Sequence, residues 1–487
     1  MRTFQFLRLL NILLCAMYLG VPHGVMAGDN SWETYRAIRL QSEKEPREYS
    51  CDDHGNERCS SSDSVGLPQK TNPQLAENAP PNWKKIVHCP DTPTFQNGAG
   101  ARWYFCDVNI ATEPYYTPYD KDFPISYMIP REDNFQDARV RVYLHPDSAN
   151  GAYVTGPSSF AFRQDTVEIH PMEQQWGNNG YTGWWLYSGN EVGTIANYNG
   201  RQIALGIDYI MDKYSDKIDL GKGIYLVGKS LGGAGVMHQS MILPKYQDKI
   251  AIVDGIIARM MIPKNGERAV KRAWGTKAVN PELYDSVDIR LQYDKVKDIH
   301  FMWRGGSNDS LGRFDIEFLQ ICEQRKISCS ATWLLSGHGI SEAGYSLNMQ
   351  LWTDPNQDAT LDKILPVITN NTSNYHGRLR GYHNRGITWN HKAIVDQADR
   401  IVIPLQYRAM TNLGSDLPDQ PQQVMFSVTL RHVKNFTFQP GDEVQWQFGQ
   451  QRGTTTIALD GLLTIDGLRR KSSQGYQELV IKLYSPQ

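Results

Sequence analysis

The chain has 487 residues, more than one compact domain usually holds, so we expect at least two folded units. Its formal net charge of −2 argues against a nucleic-acid partner, because a phosphate backbone is normally met by an excess of Lys and Arg. Tryptophan and tyrosine are plentiful, at 12 and 25, which suits either ring stacking on a ligand or core packing.

The first 27 residues have the pattern of an export signal. Arg2 provides a positive start, an apolar run covers residues 7–14, and residues 25–27 resemble a small-residue cleavage site. A short membrane anchor is the alternative, but the run is well short of the roughly 20 residues that a span needs. No later stretch is apolar enough to cross a bilayer. We therefore expect residues 1–27 to be a signal peptide and the protein to be secreted or periplasmic.

Six cysteines follow that signal. An even number in an oxidising compartment predicts disulfides, and neighbours in sequence suggest three pairs, although other pairings are open. The spacings match no familiar zinc pattern, so we expect no metal site. The suggested pairs are Cys51–Cys59, Cys89–Cys106 and Cys322–Cys329.

Residues 28–100 are predicted to be a polar N-terminal segment that holds a small disulfide loop. From about residue 135 to 340, within a predicted catalytic domain of residues 101–374, short β-branched runs alternate with helical stretches. This pattern predicts an α/β domain with a parallel sheet covered by helices, in which ligands lie at the carboxyl ends of the strands. The predicted strands are 139–144, 166–170, 224–227, 250–253, 299–303 and 331–335, and the predicted helices are 202–214 and 312–324.

The segment 224–235 carries the most informative motif. A strand runs directly into Gly228-Lys229-Ser230-Leu231-Gly232, a Gly-x-Ser-x-Gly sequence, and then into small residues that begin a helix. A serine on such a tight turn has strained backbone angles, and side chains at the two glycines would collide with neighbouring backbone. The sequence therefore predicts Ser230 as a nucleophile, with the backbone N–H of Leu231 as an oxyanion donor at a helix N-terminus.

A phosphate-binding loop is the main alternative for this segment. Residues 223–230 match Gly-x-x-x-x-Gly-Lys-Ser literally. Such a loop must follow a strand, whereas residues 224–227 are themselves predicted to be a strand, so their N–H groups would be used in the sheet. The context favours the nucleophile.

A serine nucleophile needs a later acid and histidine. Asp309 follows the predicted strand 299–303 in a Gly-rich loop, and His338 follows the last predicted sheet strand between two glycines. We therefore predict Asp309 as the acid and His338 as the general base. Asp254, which follows the strand 250–253 in a continuing apolar run, is the competing acid, and Asp315 is a more remote candidate.

Two further parts of the site are predicted from loops. The loop after residue 144 begins His145-Pro146-Asp147, and because proline has no N–H, we expect the second oxyanion donor at Asp147. Trp184 and Trp185 lie in a Gly/Asn-rich loop and are candidates for a wall of the substrate cleft, or equally for a packed surface loop. Lys229 either attracts an acidic substrate or is a surface residue.

Residues 375–487 contain short strands punctuated by Gly and Pro, which predicts a small C-terminal β-sandwich as an accessory domain. Two roles are open: tethering the enzyme to an insoluble polymer, or packing on the first domain and stabilising it. Trp446 and Phe448 alternate along one predicted strand face and suit ligand stacking or the core equally well.

From residue 139 to 339 the chain resembles the secreted esterase branch of the α/β-hydrolase superfamily, which includes polyhydroxyalkanoate depolymerases and feruloyl esterases. The resemblance rests on residues 207–210 leading to Asp219, on residues 224–233, and on Gly337-His338-Gly339. It implies an α/β-hydrolase sheet with flanking helices and hydrolysis of an ester through an acyl-enzyme, without a cofactor. The substrate would be a carboxylic ester, with an extracellular polymer among the candidates. A secreted serine peptidase and an inactive binding protein on the same fold are the alternatives.

Overall fold

The computed structural model describes residues 87–88, 95–96, 101–108, 125–130, 135–145, 165–171, 198–258, 278, 281–307, 309, 316–335, 337, 356–378, 380–410, 418–473 and 475–483. The predicted signal peptide, residues 1–27, lies outside this part of the chain. The predicted polar segment, residues 28–100, lies outside it except for two short strands near its end.

The described residues contain two series of strands. The first is β1 (Val87–His88), β2 (Phe95–Gln96), β3 (Ala101–Val108), β4 (Ile125–Pro130), β5 (Arg139–Leu144), β6 (Thr166–Pro171), β7 (Ile224–Lys229), β8 (Ile250–Ile256), β9 (His300–Gly306) and β10 (Cys329–Leu334). The second is β11 (Leu365–Thr369), β12 (Tyr375–His376), β13 (Gly381–His383), β14 (Ile387–Trp389), β15 (Val395–Gln397), β16 (Arg400–Tyr407), β17 (Gln423–Arg431), β18 (Glu443–Phe448), β19 (Gln451–Thr456), β20 (Thr464–Lys471) and β21 (Gln477–Leu483).

The α-helices of the described part lie between strands of the first series. They are α1 (Tyr198–Lys213), α2 (Leu231–Ile242), α3 (Pro281–Ser286), α4 (Tyr293–Val296) and α5 (Ile316–Arg325). None of them is both long and apolar enough to span a bilayer.

The first sheet has the order β1-β3-β4-β6-β5-β7-β8-β9-β10-β13-β12, with β2 paired to β3. Strands β6, β5, β7, β8, β9 and β10 are parallel to one another, and the outer pairs on both sides are antiparallel. The central strands are buried almost throughout, as parallel strands covered on both faces should be. This is the sheet of an α/β-hydrolase, and the predicted fold class is confirmed.

The C-terminal strands form two antiparallel sheets. One has the order β11-β17-β20, and the other has the order β14-β16-β21-β18-β19, with β15 paired to β16. Phe448 is fully buried between them, and Trp446 packs against the same core, with its ring 2.9 Å from where a Cβ at Gly453 would lie. Phe448 is therefore a core residue of the sandwich, and Trp446 is half-buried against the same core, so the two do not form an exposed row.

The predicted division at residues 374/375 does not separate the two parts. Strand β11, before it, pairs with β17 in the sandwich, whereas β12 and β13, after it, extend the first sheet beyond β10. The N-terminal limit also shifts, since β1 and β2, within the predicted segment 28–100, pair with β3. A hairpin can join either sheet because backbone hydrogen bonding is independent of side-chain identity.

One hydrophobic core joins the first sheet to the sandwich. Helices α1 and α2 cover the opposite face of the first sheet. The shared core includes Tyr143, Tyr225, Val227, Ile252, Ile256 and Met302 from the first sheet and Ile401, Ile403, Val428, Leu430, Val444 and Phe448 from the sandwich. The sandwich therefore covers one face of the first sheet. Separating the two parts would expose the apolar surface that they share.

Candidate active site

Ser230 is the single residue between β7 and α2. Its backbone has φ 55° and ψ −117°, a combination that L-residues rarely adopt. Its N–H donates to the carbonyl of Ile256 at 2.8 Å, and its carbonyl accepts the first helical hydrogen bond from Ala234 at 3.1 Å. Its side chain is half-buried. The turn therefore presents the hydroxyl at the carboxyl edge of the parallel sheet.

Both motif glycines are required by close backbone contacts, as predicted. A Cβ at Gly228 would lie 2.2 Å from the carbonyl oxygen of Gly232, and a Cβ at Gly232 would lie 2.1 Å from that of Leu144. Real Cβ atoms do not make such contacts. The helix after Ser230 is consequently packed directly on the strands on which the turn is built.

The phosphate-loop alternative does not fit this geometry. Residues 224–229 form β7, which is paired on one side with β5 and on the other with β8. The N–H groups that a phosphate loop would turn towards its anion are therefore part of a central sheet strand.

Of the two predicted oxyanion donors, Leu231 follows Ser230 directly, and Asp147 follows β5. Leu231 is the first residue of α2, and the first N–H groups of a helix have no partner within it. The end of β5 contacts the same turn, since a Cβ at Gly232 would also lie 2.6 Å from the carbonyl oxygen of His145. Asp147 follows two residues later but lies outside the described residues.

Asp309 lies just beyond β9, at the same edge as Ser230 and separated from β7 by β8. Its side chain is 1% exposed, and its N–H lies 3.4 Å from the carbonyl oxygen of Gly306. His338 lies outside the described residues. Strand β10, which leads to it, ends at the same edge at Leu334. Trp184, Trp185 and Asp315 also lie outside the described residues.

Asp254 has a different environment. Strand β8 continues to Ile256, so Asp254 lies inside the strand, beside Val227, with no exposure. Its carboxylate accepts hydrogen bonds from the Tyr225 hydroxyl at 3.0 Å and from the Arg304 guanidinium. Burial and the Asp254 charge raise the pKa of Tyr225. The competing acid is thus engaged within the sheet.

A second buried charge pair was missed by sequence reasoning. Arg141 donates to Glu168 at 2.9 Å, and the same carboxylate lies 2.9 Å from His170. Burial alone would raise the pKa of Glu168, but Arg141 and His170 outweigh it and hold that pKa below its ordinary value. Charged residues at alternate positions of two strands that are otherwise apolar were the available signal.

The disulfide predicted between Cys322 and Cys329 is confirmed, with a Cα–Cα distance of 6.2 Å. It joins α5 to the start of β10. Cys106 is also disulfide-bonded. Cys51, Cys59 and Cys89 lie outside the described residues. Within the described part of the chain, no group of three His, Cys, Asp or Glu side chains could hold a metal ion.

No protein-family model matches the chain, and no curated protein sequence matches it significantly. Solved structures similar to it include a ferulic acid esterase (13% identity, 52% of this chain and 97% of that chain, TM-score 0.38). Others are an S-formylglutathione hydrolase from Agrobacterium tumefaciens (12% identity, 52% and 92%, TM-score 0.38) and a fluorophosphonate-binding serine hydrolase F from Staphylococcus aureus (13% identity, 52% and 100%, TM-score 0.37). Identities and TM-scores this low do not indicate an activity for this chain.

Proposed function

We propose that the chain is a secreted or periplasmic serine esterase that hydrolyses carboxylic esters through an acyl-enzyme, with Ser230, His338 and Asp309 as the triad. The observation that carries this proposal is the turn at Ser230. A strained serine lies between a central parallel strand and a helix, and close backbone contacts require the glycines on both sides of it. Such a turn places the hydroxyl at a helix N-terminus, above the edge of the sheet.

In the proposed mechanism, His338 takes the proton of Ser230 Oγ as this oxygen attacks the ester carbonyl carbon. The N–H groups of Leu231 and Asp147 bind the oxyanion, and Asp309 orients and stabilises the imidazolium. The alcohol leaves with the proton of His338. A water molecule, activated by the same histidine, then attacks the acyl-enzyme, releases the acid and restores Ser230.

The compartment and the substrate class belong to the same proposal. The Cys322–Cys329 disulfide favours an oxidising compartment. An extracellular polyester or cell-wall ester is a candidate substrate, by resemblance of the sequence to depolymerases and feruloyl esterases.

The experiment is to assay Ser230→Ala on aryl esters and aryl amides and to treat it with a fluorophosphonate probe. The wild type should turn over esters and be labelled. Ser230→Ala should lose about 10³-fold or more in turnover and all labelling. Turnover within about tenfold of wild type would exclude Ser230 as the nucleophile. Amide turnover that matches ester turnover would identify a peptidase, and an unlabelled, inactive wild type would identify a binding protein.

The acid is tested by a matched pair, Asp309→Asn and Asp254→Asn. The first should lower kcat by about 10⁴-fold with the fold intact, because His338 loses its orientation. The second breaks a buried charge pair, so it should lower the melting temperature while folded molecules keep their kcat. A larger loss of kcat in folded Asp254→Asn would place the acid on β8.

A further inference from the structure

We propose that Trp303 is a positioning residue for the nucleophile turn, acting through the hydrogen bond from its indole N–H to the carbonyl of Ala258. The donor and acceptor are 2.8 Å apart, and both residues are buried. This inference rests on the proposed function, because it concerns how Ser230 and its oxyanion donor are held.

The last residue of β8 and the two residues after it form a support segment, residues 256–258, and each of them makes a hydrogen bond. The carbonyl of Ile256 accepts from the N–H of Ser230 at 2.8 Å, and the N–H of Ile257 donates to the carbonyl of Arg304 at 2.6 Å. The carbonyl of Ala258 accepts from Trp303. The segment is thus held by two adjacent residues of β9 while it holds the nucleophile's amide.

The support segment is strained. Ile257 has φ 45°, a left-handed conformation that is rare for a β-branched residue. Such a residue costs on the order of 1–3 kcal/mol and persists only where surrounding contacts impose it. Two hydrogen bonds to β9 are such contacts. The N–H of Ile257 donates to the Arg304 carbonyl, and the Trp303 indole donates to the carbonyl of Ala258, the next residue.

The left-handed conformation of Ile257 places Ala258 against the first turn of α2. A Cβ at Gly233 would lie 2.5 Å from the Cβ of Ala258. The support segment therefore contacts the turn on both sides of Leu231, at the amide of Ser230 and at Gly233. The N–H of Leu231, the proposed oxyanion donor, lies between these contacts, so its position depends on where the segment is held.

Trp303 is well placed to hold it. The side chain is 2% exposed and belongs to the core on the helical side of the sheet. Its ring lies 2.3 Å from where a Cβ at Gly305 would be, so that residue must be glycine for the ring to fit. The same strand leads to Asp309, and Trp303 therefore connects the strand of the proposed acid to the turn of the nucleophile.

A merely structural role is the competing explanation, and Trp333 provides the control. Trp333 is fully buried on the neighbouring strand β10, and its indole N–H donates to the carbonyl of Gly377 at 2.9 Å. It has the same kind of hydrogen bond, but its acceptor lies between β12 and β13 and not in the support segment. Trp303→Phe and Trp333→Phe each remove one indole N–H and some ring volume.

The experiment measures kcat and KM on an aryl ester, the inactivation rate with a fluorophosphonate, and the melting temperature for both variants. Because a shift of about 1 Å at reacting groups can cost up to about 100-fold, Trp303→Phe should lower kcat and the inactivation rate by about tenfold or more. Its KM should stay within about twofold, since only transition-state interactions are lost. Trp333→Phe should keep kcat within about twofold at a comparable loss of melting temperature. Equal kcat values in the two variants, or an unchanged kcat in Trp303→Phe, would overturn the inference.

If Trp303→Phe does not fold, β-(3-benzothienyl)alanine at position 303 keeps the ring shape and replaces the N–H by sulfur. It should give the same loss of kcat and inactivation rate, and normal values would overturn the inference. Failure of the proposed function is separate: a wild type that neither hydrolyses esters nor reacts with the probe refutes the function, whatever Trp303 does.

Discussion

Ser230 and Ile257 both have positive φ although neither is glycine, and the two are linked through Ile256. Strain of this kind collects at functional sites because surrounding contacts must impose it. The sequence predicted it at Ser230, since the flanking glycines and the preceding strand specify a tight turn. At Ile257 nothing in the sequence predicts a positive φ, because isoleucine favours extended backbone. The hydrogen bonds between this segment and β9 impose that conformation.

His383 is a buried residue whose ionisation should govern stability in acid. Its Nδ1 lies 3.1 Å from His376 Nε2 and from Asn374 Nδ2, and its Nε2 lies 3.5 Å from a Glu323 carboxylate oxygen. Burial, followed by repulsion from His376, lowers the pKa of His383 to about 3.

The expected consequence is a loss of stability as the pH falls. The unfolded chain binds a proton at position 383 below about pH 6.5, whereas the folded chain does not until about pH 3, so stability present above pH 6.5 is lost across this window. His383→Gln should reduce the slope of unfolding free energy against pH there by up to about 1.4 kcal/mol per pH unit. His391→Gln should act similarly, because burial lowers the pKa of His391 to about 4. Urea unfolding at several pH values measures both slopes, and an unchanged slope in His383→Gln would contradict this account.

Helix α5 is an element held at its C-terminal end by two independent contacts. The Cys322–Cys329 disulfide ties it to β10, and Arg431, at the end of β17, donates to the carbonyls of Arg325 and Lys326. The last carbonyls of a helix have no hydrogen-bond donor within it, and the Arg431 guanidinium supplies such donors here. Because α5 lies between Asp309 and β10, a sandwich strand stabilises the connection between the proposed acid and base.

Arg431→Met tests this contact. The variant keeps much of the side-chain volume but leaves two partly buried carbonyls without a charged donor, so we expect a loss of about 1–3 kcal/mol in the free energy of unfolding. Arg452→Met, on the exposed face of the edge strand β19, should change it by no more than about 0.5 kcal/mol. Urea titration at unchanged m-value is the measurement. Equal free energies of unfolding for the two variants would show that the Arg431 hydrogen bonds do not stabilise the protein.

At the scale of the whole molecule, the first sheet and the sandwich depend on each other. They share one hydrophobic core, and β12 and β13 complete the first sheet from within the C-terminal part. The buried position of Phe448 and the packing of Trp446 remove the aromatic row that tethering to a polymer by ring stacking would use. Packing on the first sheet is the role that the described residues support.

A chain ending at Asn374 should therefore not fold into an active enzyme. It would lose β12 and β13 and expose the face of the first sheet that carries Tyr225, Ile252 and Met302. Burial of that apolar surface is the main stabilising contribution to be lost. Size-exclusion chromatography and circular dichroism should show aggregated or unfolded protein with no esterase activity. A monodisperse truncated protein with wild-type turnover on a soluble ester would show that the two parts are separable.

The sequence by itself determined the local elements. Runs of β-branched residues predicted β5 and β6 nearly to the residue and placed β7 to β10 with ends up to three residues off. Helical spacing predicted α1, and the seven-residue separation predicted the Cys322–Cys329 disulfide. The placement of Ser230 on a turn between β7 and α2 also followed from local signals, because glycine requirements and strand patterns are written in neighbouring residues.

Only the tertiary structure decided which sheet each short strand joins, which polar groups pair in the interior, and what supports the nucleophile turn. The sequences of strand β11 and of the hairpin β12–β13 do not indicate which sheet each one joins, since the backbone hydrogen bonds are the same in either sheet. Asp254 meets Arg304 and Ala258 meets Trp303 across some 45–50 residues of sequence. Periodicity reports which face of a strand is buried, but the partner on that face is chosen by packing of the whole chain.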